Sequence, residues 1–173
     1  MSSKNRQHFN PCNIPCAFPI PEPPRPELQS AFRAVRNETN AVIDVPAETV
    51  VQVLYPNEQY DLINEYNTFI STFIPATKGI YSIIASVEFR PAEFPSPDYR
   101  LIIAIRVNNT QVAIDNDFFS TITNNNIASV STNTQLNAGD VVQISVRSSI
   151  AGTIISDPLS THFEATRFPS PTM

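Results

Sequence analysis

Residues Arg100 to Asn108 read RLIIAIRVN. Leu101, Ile103, Ile105 and Val107 fall on one face of an extended chain, and Arg100, Ile102, Ala104 and Arg106 fall on the other. Period two marks a strand with one face buried. Two further stretches repeat it. In DVVQISVRS, Val142, Ile144 and Val146 alternate with Gln143, Ser145 and Arg147. In GIYSIIASVEF, Tyr81, Ile83, Ala85, Val87 and Phe89 oppose Ser82, Ile84, Ser86 and Glu88. Shorter runs predict strands at 32–35, 50–55, 68–74, 112–114, 127–132, 153–155 and 161–168. Breakers such as PNE, TKG, PAEFPSP, NNT, TNNN, NAG and SDP separate them. No helix-period segment appears. About ten short strands predict an all-β sandwich.

Ile84 and Ile102 lie on the nominally polar faces of their strands. A small sandwich buries only its inner faces. Outward aliphatic residues among few charges therefore point to burial against another subunit.

The chain has 173 residues, of which 42% are hydrophobic and only 16% charged. An ordinary domain carries about 25% charged residues, so Asn, Ser, Thr and Gln must cover this surface. Three glycines exclude a Gly-X-Y stalk, a Walker phosphate loop and a dinucleotide fingerprint. Two histidines, two cysteines and no tryptophan leave little for metal or triad chemistry, and the expectation is a protein that is not an enzyme. The net charge is −5. Lys4 and Lys78 are the only lysines and the arginines are scattered, so no basic stripe is available to a phosphate backbone or an anionic bilayer. No apolar run approaches the roughly 20 residues that span a membrane. The N-terminus, MSSKNRQHFNPCNIPC, lacks the apolar stretch of about 7–15 residues of a secretory signal. The expectation is a surface protein that reaches the outside without that signal, for instance when a mother cell lyses.

Residues 1–27 have a different texture. Seven of the 16 prolines lie between Pro11 and Pro26. Proline lacks a donor N–H and is barred from sheet and helix interiors. This segment reads as an extended proline-rich arm, with a head at 28–173.

Several short motifs follow one another in the head. They are AFRAVR (Ala31 to Arg36), Val53-Leu54, and Tyr66-Asn67 with Phe73 and then Gly79-Ile80-Tyr81. LIIAIRVNNTQV with Asn108 comes next, then QLNAGDVVQI with Leu136, Gly139, Asp140 and Val142, and finally STHFEATRF. In this order and near this spacing the motifs resemble the complement-1q-like globular head, a relative of the tumour necrosis factor superfamily. The resemblance covers residues 30–168. Asn67, Ile70-Ser71, Lys78 and Ala165 depart from the family pattern, and the loop PNEQYDLINE is longer, which suggests a distant, bacterial member. The resemblance implies a ten-stranded jelly roll that assembles as a trimer and serves as a recognition or assembly module without enzymatic activity. Phe32, Tyr66, Phe73, Ile102 and Phe163 are the candidate trimer-interface residues. In spore-forming bacteria, similar heads decorate the outermost spore layer, usually on a collagen-like stalk. Here the proline-rich arm stands in for the stalk and is expected to reach other surface-layer proteins.

Candidate chemistry is sparse. Cys12 and Cys16 form a C-x3-C pair in the arm, open to inter-chain cross-linking, to metal, or to remaining as thiols. Asp115-Asn116-Asp117 reads as an acidic turn, either a solvated Asx-capped turn or part of a calcium site, calcium being the one cofactor considered. Ser160, His162 and Asp157 hold triad residue types without a nucleophile elbow, and His162 is expected to be structural. Phe69, Phe73, Tyr81, Phe89, Phe118 and Phe119 read as core. Loops 91–98 and 115–126 offer an alternative function, recognition of a carbohydrate, polymer or host protein.

Overall fold

The computed structural model describes residues 29–39 and 41–169. The arm, with Cys12 and Cys16, lies outside the described residues. The head forms β1 (Ala31–Val35), β2 (Ile43–Val45), β3 (Val51–Gln52), β4 (Asn57–Asp61), β5 (Tyr66–Asn67), β6 (Thr72–Phe73) and β7 (Gly79–Pro91). These are followed by β8 (Tyr99–Val107), β9 (Thr110–Phe119), β10 (Asn126–Leu136), β11 (Val142–Ser148), β12 (Gly152–Ile154) and β13 (His162–Arg167).

The strands make two antiparallel sheets. The first runs β2-β12-β7-β13-β1-β4, with β10 on the other edge of β7. The second runs β5-β6-β11-β8-β9, with β3 beside β11. The three period-two stretches become β7, β8 and β11, and each buries its expected face. Tyr81, Ile83, Ala85, Val87 and Phe89 of β7, with Leu101, Ile103 and Ile105 of β8, have no exposed surface. Each large side chain so enclosed stabilises the fold by about 1.5–3 kcal/mol before entropy is counted.

β7, at 13 residues the longest strand among the described residues, has two distinct ends. At its start, Phe168 N donates to Ile80 O (2.9 Å) and Arg167 N donates to Ser30 O (2.9 Å). Both ends of the described chain therefore lie there. At its far end, β7 reaches Pro91, β8 begins at Tyr99, β9 stops at Phe119 and β10 begins at Asn126. The loops joining these strands form the opposite end.

Some elements differ from the sequence expectation. The thirteen segments include two- and three-residue pieces that a count of ten merges or leaves in loops. The stretch 68–74 is not one strand. Asn67 Oδ1 accepts from Phe69 N (3.0 Å) and Ile70 N (3.3 Å), and Ser71 sits at φ 48°, so the chain turns between β5 and β6. Of 50–55 only Val51–Gln52 is strand, because Tyr55 N donates to Ser71 Oγ (2.7 Å) in place of a ladder partner. The long loop at 56–65 contains β4, a polar edge strand paired with β1. Asp115-Asn116-Asp117 is not a turn but the middle of β9.

Candidate interaction surfaces

Four of the five residues expected at a trimer interface lie in the core of one chain. Phe32 stacks on Tyr66 (4.6 Å between ring centroids) and on Phe73 (4.8 Å), and meets Phe163 edge-on at 4.9 Å. Phe32, Phe73 and Phe163 have no exposed surface and Tyr66 has 6%. Side chains enclosed by their own chain offer no area to a neighbour. Their positions alternate inward on β1, β5, β6 and β13, which ties the sheets together at this end. Ile102 alone is partly exposed, on the outer face of the second sheet. Phe69 and Phe118, read as core, are 92% and 63% exposed.

Asp115 and Asp117 stand opposite Ile103 and Leu101 on the edge strand β9, both half-buried. Partial burial, and then the charge of Asp115, raises the Asp117 pKa. Two carboxylates supply only part of the six to eight oxygens that calcium takes. Among the described residues no group of three or more His, Cys, Asp or Glu converges. Nor do Ser160, His162 and Asp157 form a triad. Ser160 Oγ donates to Glu88 Oε2 (2.6 Å), while Asp157 Oδ1 accepts from Leu159 N (2.8 Å). His162 lies half-buried on the outer face of β13, beside the Leu159 backbone. Burial, and then the Arg33 guanidinium, lower its pKa.

The outer face of the first sheet carries few charges along β10 and β7, with Arg90 at its loop end exposed. β10 turns Ile127, Ser129, Ser131, Asn133 and Gln135 outward, and β7 turns Ile80, Ser82, Ile84, Ser86 and Glu88. Glu88 accepts from Asn125 Nδ2 (2.7 Å) as well as from Ser160. Glu164 on β13 pairs with Arg33 on β1, and Arg33 Nε donates to Gln59 Oε1 (2.9 Å). Ile80, Ile84 and Ile127 are 46%, 37% and 54% exposed on this face.

At the loop end, Glu88, Arg90, Phe94, Thr123, Asn124 and Asn125 line an open cavity of about 430 Å³. The two loops that form it are latched together. Ser96 N donates to Ile122 O (2.9 Å), Ile122 N donates to Ser96 Oγ (3.2 Å), and Thr121 N donates to Asp98 Oδ1 (2.8 Å). The loop expected over 115–126 is shorter, because β9 continues to Phe119. Sequence reading missed the Glu88–Ser160–Asn125 cluster. Its members are 37 and 72 residues apart, and no local pattern joins them.

No family model matches the sequence, and no curated protein does. The fold has clear counterparts among solved structures. Murine APRIL aligns over 81% of this chain and 99% of its own at a TM-score of 0.58 and 13% identity. The globular domain of zebrafish complement 1qA aligns over 82% of this chain and 98% of its own at 0.56 and 14% identity. The Eiger TNF from S. frugiperda aligns over 84% and 98% at 0.54 and 12% identity.

Proposed function

We propose that this chain, whose fold is that of tumour necrosis factor and complement-1q globular domains, is a non-enzymatic interaction module. It assembles as a homotrimer and is held in a cell- or spore-surface layer by its proline-rich arm. One observation carries the reading. The outer face of the first sheet exposes Ile80, Ile84 and Ile127 among small neutral side chains, with Glu164 paired to Arg33 and Glu88 hydrogen-bonded to Ser160 and Asn125, while the exposed Arg90 stands off at the loop end of β7. Burying such a face desolvates little charge, and aliphatic area drives the association. The ends of the sandwich support the tether. The described chain begins beside β1, at the end opposite the latched loops, so a head tethered through its N-terminal side would turn the loop end outward.

The test is the mass of the full chain in solution at micromolar concentration. Sedimentation equilibrium is expected to give three times 19.2 kDa, and Ile84→Asp to give monomer. A wild-type monomer overturns the reading.

The loop-end cavity favours a second reading, recognition of a polar ligand by residues of two latched loops. Screening the chain against immobilised glycans tests it; binding that survives Arg90→Ala and Asn124→Ala together removes the cavity from the reading.

A further inference from the structure

The outer face of the second sheet differs in charge from that of the first. β8 turns Arg100, Ile102, Ala104 and Arg106 outward as one row, about 20 Å from end to end at the rise of an extended strand. β9 sets Phe118, Asn116, Ile114 and Gln111 beside them in register. β11 sets Arg147 beside Ile102 and Ser145 beside Ala104. Between the arginines lies a shallow depression of about 140 Å³. Its floor is Ala104 and Ser145, 1% and 5% exposed, and its walls are Ile114 and Val50, 58% and 52% exposed. Small residues below and branched ones at the sides leave room for one aliphatic side chain.

The rim is cationic. Arg147 Nε donates to Glu48 Oε2 (2.9 Å), the acid that borders this face. Arg106 Nη2 reaches only the backbone oxygen of Asn109 (2.6 Å), and its buried Nε has no partner. Arg100 is exposed, with no side-chain partner among the described residues. A chain of net charge −5 therefore keeps two arginines without carboxylates beyond the two ends of a socket whose aliphatic side is Val50, Ile102, Ala104 and Ile114 and whose polar side is Gln111, Ser145 and Arg147.

We propose that this face docks an extended segment of a partner protein that carries a carboxylate at each end of a seven-residue stretch and an aliphatic side chain between them. In an extended chain, residues i and i+6 point the same way and are spaced as Arg100 and Arg106 are. Guanidinium groups bind carboxylates with two parallel hydrogen bonds, and the socket takes the aliphatic group. The face is on the opposite side of the sandwich from the one assigned to self-association, so either assignment can fail alone.

The probe is the fluorescein-labelled peptide ESLSLSE, titrated with the full chain and read by anisotropy. Saturable binding is expected. It should weaken by at least about tenfold for KSLSLSK, for ESSSSSE and for the Arg100→Glu/Arg106→Glu variant. Ile114→Asp, on the exposed edge strand, is the second variant, and circular dichroism checks that each is folded. No saturation at millimolar concentration overturns the proposal, as does equal affinity for the lysine or all-serine peptide. A change in the mass of the chain with these variants, without peptide binding, assigns the face to a second copy and also overturns it.

Discussion

Asn108 and Asp140, 32 residues apart, fasten two turns to each other at the end of the second sheet. Asn108 Nδ2 donates to Asp140 Oδ1 (2.9 Å), and Asn108 Oδ1 accepts from Val141 N (2.9 Å). Asn108 and Asn109 sit at φ 50° and 67°, the left-handed pair that a two-residue hairpin turn needs. Asp140 Oδ2 also accepts from Asn137 N (2.7 Å) within its own turn.

Asp140→Ala should therefore lower stability by about 1–2 kcal/mol through lost hydrogen bonds, with a matching fall in Tm. The Asn137 N–H, and next the Asn108 amide, hold the Asp140 carboxyl below its ordinary value of 3.8. A depressed carboxylate contributes stability above the unfolded value, and that contribution is lost as pH falls through the lower folded value. Thermal melts from pH 6 down to about pH 2 should show a shallower acid limb in Asp140→Asn. An unchanged limb removes this linkage.

His162 acts with the same direction in another window. Its folded pKa lies below the ordinary 6.5 because burial and Arg33 oppose the imidazolium. Above 6.5 both states are neutral and His162 adds no pH dependence. As pH falls through 6.5 the unfolded chain takes up the proton first, so stability declines until the folded value is passed. His162→Gln should flatten the stability curve between about pH 7 and pH 5. A curve that keeps its slope assigns the titration elsewhere.

Phe32 and Phe69 should separate core from surface. Phe32→Ala opens the aromatic cluster and should cost about 3–5 kcal/mol in urea unfolding. Phe69→Ala, at a site 92% exposed, should stay within about 0.5 kcal/mol. Equal costs would contradict this packing.

Two glycines make a further pair. A Cβ on Gly152 would lie 2.3 Å from Phe89 Cζ and 2.4 Å from the Arg90 carbonyl oxygen, where β12 pairs with β7. Gly139 has nothing within 4 Å, and only its φ of 84° resists a side chain. Gly139→Ala should cost about 1–2 kcal/mol. Gly152→Ala must move backbone and should cost more, read as a larger drop in the urea midpoint.

The long strands were legible because alternation decides which side chains are enclosed. Leu101, Ile103 and Ile105 could face only a core. Phe32, Tyr66, Phe73 and Phe163 were harder, since an aromatic residue suits a core or a subunit interface equally and only its neighbours in space decide. Phe69 was misplaced because the Asn67 carboxamide caps the chain there and turns it outward. Asp115 and Asp117 resembled a turn because an edge strand tolerates polar residues that an interior strand excludes. The loop-end cluster of Glu88, Ser160 and Asn125 left no trace along the chain.

The back-to-back placement of the two outer faces sets the valence of the assembly. If three copies meet through their first sheets, three Arg100–Arg106 rows point away from the axis. A partner that carries several acidic segments then meets its second and third sockets at an effective concentration set by the spacing of its own segments. Weak single contacts sum to slow release, so retention on such a surface becomes a property of the partner's repeat length.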